Sequence, residues 1–284
     1  MHDIPTAAGL HGVDLLIELP EADWLNVEKA KRLLASFSSR WQHIGTDGAL
    51  KDIDFDRGVS FLEIFAGCGN LSFAVAQMGL SVGPAIDRRQ GQANAFEIDL
   101  RKESDRRAVW ALVVVLMPAW IHLGVPCTFW IAMAHWTRRR DLDRNEQARI
   151  EALVFVVFSR QLVYYQASRR RHSSIENPPR SVLWDLDIVQ DMMATANMTC
   201  IDTDLCVWGA RDPDSGKLYG KAMRFACTFS MVPLARTCSG DHKHEVVQGV
   251  IRRGAFKGRQ RSALSGQYPL SLCAAWAALA KHHV

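Results

Sequence analysis

The 284-residue chain has no internal repeat and no low-complexity tract, which excludes a solenoid and a linker-like disordered protein. Its seven cysteines show no paired spacing, and no secretory leader precedes them. A disulfide framework is thereby excluded, and a reducing, intracellular setting, nucleus or cytoplasm, is expected. No unbroken apolar run is long enough to cross a bilayer. Val109 to Val125 comes nearest, and Pro118, His122 and Gly124 interrupt it. That stretch reads as a helix followed by a buried strand, with no membrane partner. Charge of one sign is also scarce: a net charge of +4 and a pI near 8.7 permit a polyanionic partner without demanding one. What is present is a 48% hydrophobic content, enough for one large α/β core with a small appendage or for two modest domains.

The most informative stretch is Val59 to Leu71, VSFLEIFAGCGNL. Val59, Phe61, Leu62, Ile64 and Phe65 read as a buried strand that stops at Ala66-Gly67-Cys68-Gly69-Asn70, where two glycines allow a sharp turn and close approach of a ligand. Leu71 to Met78 resumes at helical spacing and Gly79 closes it. Strand, glycine turn and helix in this order make a nucleotide-type crease, because free amides at the helix start face the turn.

Upstream, residues 1–57 read as a helical extension and connector, with a helix from Pro20 to about Trp41, and residues 58–284 as the main domain. Downstream, a second strand, Leu80 to Ile86, ends in Asp87, placed where a ribose hydroxyl pair would be held. A third segment ends at Asp99-Leu100, a helix covers Glu103 to Met117, and a fourth strand, Ala119 to Gly124, leads into Val125-Pro126-Cys127. If strand order reverses beside the first strand, the first and fourth strand ends border one crevice, so the glycine turn and Cys127 are neighbours. A cysteine held by a preceding proline suits a positioned nucleophile. The basic loop Arg138-Arg139-Arg140 and the cluster Arg169 to Arg171 flank a helix from Arg144, capped by Asp143, to Ser168, and together could track a phosphate backbone. A fifth strand from His172 ends at Glu176-Asn177-Pro178-Pro179. Then follow a helix over Ser181 to Asn197, a strand over Met198 to Leu205, a hairpin over Cys206 to Ser230 turning at Asp212 to Gly216, a basic loop Gly249 to Arg261 and a last helix from Leu270 to Lys281.

These ordered blocks, FLEIFAGCGNLS, AIDRR, VPC and IENPP, resemble the S-adenosylmethionine-dependent methyltransferases, and within them the cytosine-5 DNA methyltransferases. The resemblance implies a Rossmann-like α/β fold, a mostly parallel sheet flanked by helices, with S-adenosyl-L-methionine as cofactor. It also implies nucleic acid as partner, DNA in preference to RNA. It assigns the cofactor to Phe65, Ala66, Gly67, Gly69, Asn70 and Leu71 of the turn, to Asp87, Asp99 and Leu100 at strand ends, and to Pro126. It assigns the nucleophile to Cys127, the acid on the ring nitrogen to Glu176, a substrate contact to Asn177, and a basic element near the nucleophile to KAMRF, with Lys221 and Arg224. The flipped-out base required by such a site fits a nucleic-acid substrate. The chain differs from the family in having Thr128-Phe129-Trp130 after the cysteine, Pro178 after Glu-Asn, and a stretch from Phe225 to Gly266 too short for a large sequence-reading insert.

Two other readings compete. Asn177-Pro178-Pro179-Arg180 is similar to the Asn-Pro-Pro-aromatic motif of amino-directed methyltransferases, and the altered motifs suit a non-catalytic nucleic-acid-binding module from a mobile-element or polyprotein setting. Cys206, Cys227, Cys238, His242 and His244 gather soft and borderline metal ligands in one region. Their spacing matches no standard finger and strand cysteines are usually core, so the expectation is a site without zinc.

Overall fold

A computed structural model describes residues 58–88, 95–130 and 142–284. The expected N-terminal extension and the Arg138-Arg139-Arg140 loop lie outside the described residues. Among the described residues seven strands form one sheet: β1 (Phe61–Ile64), β2 (Ala85–Asp87), β3 (Ala95–Glu97), β4 (Trp120–Leu123), β5 (His172–Asn177), β6 (Thr199–Asp204) and β7 (Ala222–Cys227). Their order is β3-β2-β1-β4-β5-β7-β6. The first five pair in parallel, and β7 runs antiparallel between β5 and β6. The mostly parallel sheet flanked by helices is therefore present, and order reverses between β1 and β4 as the sequence argument requires.

Helices α1 (Asn70–Gln77), α2 (Glu103–Leu116), α3 (Leu142–Ser168), α4 (Asp187–Thr195), α5 (Arg261–Leu264) and α6 (Leu270–Ala280) complete the order. Side chains alternate across the strands, so two cores form. Leu62, Ile64 and Ile121 pack on α2 and α3, while Phe61, Trp120 and Phe225 pack on α1 and α6 around Trp276. Val109 to Val125 resolves into the end of α2, a turn at Met117 and Pro118, and buried β4. Among the described residues no helix is long and apolar enough to cross a membrane.

Three expectations need correction. The helix over Ser181 to Asn197 divides at Leu186, which is extended, into a 3-10 turn, Val182–Asp185, and α4. Trp184 is drawn into the core there, and its indole donates to Pro178 O at 2.9 Å. The helix expected to be capped by Asp143 already begins at Leu142. Finally, Cys206 to Ser230 is not a simple hairpin, because β7 pairs back along β6 and only a single bridge, Arg211 to Leu218, joins the intervening excursion. The buried carboxylate of Asp212 organises that excursion, accepting from the Ser215 amide at 2.8 Å, Tyr219 Oη at 2.9 Å and Arg261 Nε at 2.8 Å.

Candidate active site

The carboxyl ends of β1, β2, β4 and β5, with Lys221 and Tyr268, enclose a cavity of about 1530 Å³. That exceeds the roughly 300–1,000 Å³ of a single small-molecule pocket, and the cleft is half-open, running from the glycine turn out to Cys238 and His244.

The glycine turn forms one wall. Phe65 (φ +60°), Gly67 (φ +57°) and Gly69 (φ +71°) all lie in the left-handed region. For Phe65 that conformation costs about 1–2 kcal/mol and is the kind of strain that marks functional loops. The turn is held by Ala66 N donating to Ile86 O and by Gly67 N donating to Asp87 Oδ2, at 2.9 and 2.8 Å. A Cβ placed on Gly67 would meet nothing within 4 Å, so the backbone there borders open space. A Cβ on Gly124, after β4, would come within 2.9 Å of Phe65 O, so a glycine is what lets the β4 loop close against the turn.

Helix α1 has no side-chain cap of its own at Gly69. Glu63 of β1 supplies one from beneath: its Oε2 accepts from Ser72 N at 2.9 Å and from Ser72 Oγ at 2.6 Å, satisfying a donor of the first turn. Burial pushes the Glu63 carboxyl up to about 7 against these bonds.

Pro126 and Cys127 open a short 3-10 turn that lines the same cavity, and Cys127 is half-buried. Glu176, nearly buried at 8% exposure, lines the same cavity. Burial raises its carboxyl to about 7, with Lys221 and the Tyr268 hydroxyl pulling the other way. One carboxyl oxygen, Oε2, accepts from Tyr268 Oη at 3.1 Å, and Oε1 is buried with no partner among the described residues.

A hydrogen-bond chain runs behind the acid. Trp120 Nε1 donates to Ser174 Oγ at 2.8 Å, Ser174 Oγ meets His122 Nδ1 at 2.9 Å, and His122 Nε2 meets Tyr268 Oη at 3.0 Å. Burial drives His122 down to about 3, so it is neutral. Tyr268 has one hydroxyl hydrogen and gives it to Glu176 Oε2, so toward His122 it accepts. Neutral His122 then carries its proton on Nε2, which leaves Nδ1 to accept from Ser174 Oγ, while the Ser174 oxygen accepts from the Trp120 indole. None of His122, Ser174 or Tyr268 was assigned a role from sequence. Register places His122 opposite Ser174 on adjacent strands, and Tyr268 arrives from far along the chain. The carbonyl of Tyr268 also accepts from Asn70 Nδ2 at 2.8 Å, joining the glycine turn to the acid.

Of the residues selected from sequence, Phe65, Ala66, Gly67, Asp87, Asp99, Leu100, Pro126, Cys127 and Glu176 line the cavity. Gly69, Asn70 and Leu71 stand behind it: Gly69 starts α1, Asn70 ties down Tyr268, and Leu71 is core. Asp99 is gripped by the Arg101 guanidinium, which holds its carboxyl down at about 2. Asn177 and Arg224 lie elsewhere. Asn177 is wholly buried and donates from Nδ2 to Val125 O at 2.7 Å, so it fixes the loop before Cys127 and does not border the cavity. Arg224 makes a bidentate pair with Asp202, at 2.7 and 2.9 Å, on the other face of β7. Arg88, Arg180 and Lys221 are the cations among the cavity-lining residues, and it is Lys221, whose Nζ donates to Ser265 O at 3.1 Å, that acts on Glu176.

At the rim, the expected absence of a metal cluster meets a different geometry. Single ligand atoms of Cys206, Cys238, His242 and His244 all lie within 4.8 Å of one another. Cys227 is not among them; it is buried at the far end of β7, opposite Thr199, whereas Cys206 follows the Asp204 end of β6.

No family model matches the chain, and no curated protein matches it. Among solved structures, the S. pombe Dnmt2 methyltransferase aligns over 66% of this chain and 57% of its own, at 9% identity and a TM-score of 0.39. An E. coli protein assigned as a DNA modification methyltransferase encoded within a prophage aligns over 60% of this chain and 46% of its own, at 14% identity and a TM-score of 0.37. The chain thus spans about half the length of these two structures.

Proposed function

We propose that the chain transfers a methyl group from S-adenosylmethionine to a nucleic-acid base, at carbon 5 of cytosine, through an adduct on Cys127. The observation that carries this reading is that a glycine turn, a thiol and a carboxyl that is partly neutral near pH 7 border a single cleft of about 1530 Å³. The residues fit the cofactor: the Gly67 backbone borders open space, and Asp87 and Asp99 stand at the neighbouring strand ends. When bound, S-adenosylmethionine supplies an electrophilic methyl group.

The remaining chemistry belongs to the chain. The Cys127 thiolate bonds to carbon 6 of the base, the carbon 5–carbon 6 pair shifts to carbon 4–carbon 5, and ring nitrogen 3 takes the proton of neutral Glu176. Carbon 5 is thereby made enamine-like and nucleophilic. Loss of the carbon 5 proton to water then expels the thiolate, and Glu176 recovers its proton from nitrogen 3. Lys221, beside Glu176, offsets negative charge as it develops. The amino-directed alternative would need an accessible Asn177, which is buried on Val125.

The test is label transfer from tritiated S-adenosylmethionine to DNA and to RNA, by wild type and Cys127→Ala. Transfer to one polymer that disappears in the variant supports the mechanism, as does a persistent covalent complex with 5-fluorocytosine, whose fluorine cannot leave as a proton. Transfer unaffected by Cys127→Ala removes the thiolate mechanism. No measurable cofactor binding by calorimetry would favour a non-catalytic binding module.

A further inference from the structure

We propose that Cys206, Cys238, His242 and His244 form a tetrahedral zinc site that braces the rim of the cavity, a role separate from methyl transfer. Cys238 Sγ lies 3.6 Å from both His242 Nε2 and His244 Nε2, and the two imidazole nitrogens are 3.0 Å apart. A tetrahedral ion with zinc–sulfur bonds of about 2.3 Å and zinc–nitrogen bonds of about 2.0–2.1 Å requires sulfur–nitrogen separations of about 3.6 Å and nitrogen–nitrogen separations of about 3.4 Å. Cys238, His242 and His244 already stand near those spacings, and Cys206 Sγ lies within 4.8 Å of all three ligand atoms.

The surroundings are those of a ligand set. His242 Nδ1 pairs with Asp241 Oδ1 at 2.7 Å, which fixes the tautomer that turns the Nε2 lone pair inward. The Gly240 amide donates to Cys238 Sγ at 3.4 Å, a bond that favours thiolate. Residues 236 to 244, RTCSGDHKH, contain no aliphatic side chain to fold around, so an ion would supply the cohesion that a core cannot. Two thiolates with two imidazoles select zinc over magnesium or calcium, and four protein ligands leave no open position, so the site is structural. It also reaches the cavity wall: His244 packs on Gly220, where a Cβ would approach its Cβ to 3.0 Å, and Gly220 precedes Lys221.

The experiment is elemental analysis of the purified full chain after gel filtration. About one zinc per chain is expected, with a tetrahedral cobalt spectrum carrying thiolate charge-transfer bands after exchange. His244→Ala, at an exposed position, and Cys238→Ser should lower bound zinc roughly tenfold or more, Asp241→Asn should weaken affinity about tenfold, and Cys200→Ser should change nothing. A chain that purifies without zinc and takes up none, or zinc retained in full by both His244→Ala and Cys238→Ser, overturns the proposal.

Discussion

Glu176→Gln should flatten the dependence of stability on pH. In the folded chain the carboxyl binds its proton up to about pH 7, against an ordinary value near 4.5, because burial disfavours the charged form. Between those values the folded state holds more protons than the unfolded state, so stability falls as pH rises. The contribution of the neutral acid is complete below about pH 4.5 and is lost as pH passes through about 7. At about 1.36 kcal/mol for each tenfold change in proton affinity, the loss is about 3 kcal/mol. Glu63 carries a similar rise for the same reason, whereas buried neutral His122 acts in the opposite sense below about pH 6.5, so each Glu→Gln variant should remove about 3 kcal/mol of the fall from a wild-type slope in which these contributions partly cancel. Urea midpoints between about pH 4.5 and about pH 8 measure it. A Glu176→Gln protein with the full wild-type slope would show that the acid is solvated, and with it would fall the account of Glu176 as a proton donor.

Tyr268→Phe should cost about 2–4 kcal/mol in thermal or urea unfolding, because it strips partners from buried His122 and Glu176 together; a change below about 0.5 kcal/mol would mean that the chain of bonds is not formed. Gly124→Ala should cost about 1–3 kcal/mol through the clash with Phe65 O and weaken S-adenosylmethionine binding as the turn shifts, both readable by unfolding and calorimetry. Gly67→Ala should cost only about 1–2 kcal/mol of backbone strain while weakening the same binding, so unchanged affinity would move the cofactor elsewhere. Lys221→Ala should lower methyl transfer at least about tenfold and Arg224→Ala less than about twofold; the reverse ranking would restore Arg224 to the site.

The strand tips were legible because each announces itself locally. A buried run ends at Gly67, Cys127 or Glu176, and a parallel sheet gathers such ends on one side. What stayed hidden depends on closure over distance. His122 looked like an interruption of an apolar stretch, and only its register with Ser174 and the arrival of Tyr268 give it partners. Lys221 and Arg224 were quoted together from one block. Three residues apart, where side chains alternate every residue, they fall on opposite sides, and the pairing with Asp202 decides which one leaves the cavity. The cluster at Cys206 and Cys238 escaped for a similar reason. The finger-like spacing sought along the chain is replaced by the meeting of a strand end with a later loop.

The relay that begins at an indole has a directional outcome. Tyr268 owns a single hydrogen and spends it on the acid, so the Glu176 oxygen at the end of the line receives. Any hydrogen that the acid itself owns then sits on Oε1, the atom left without a companion among the described residues.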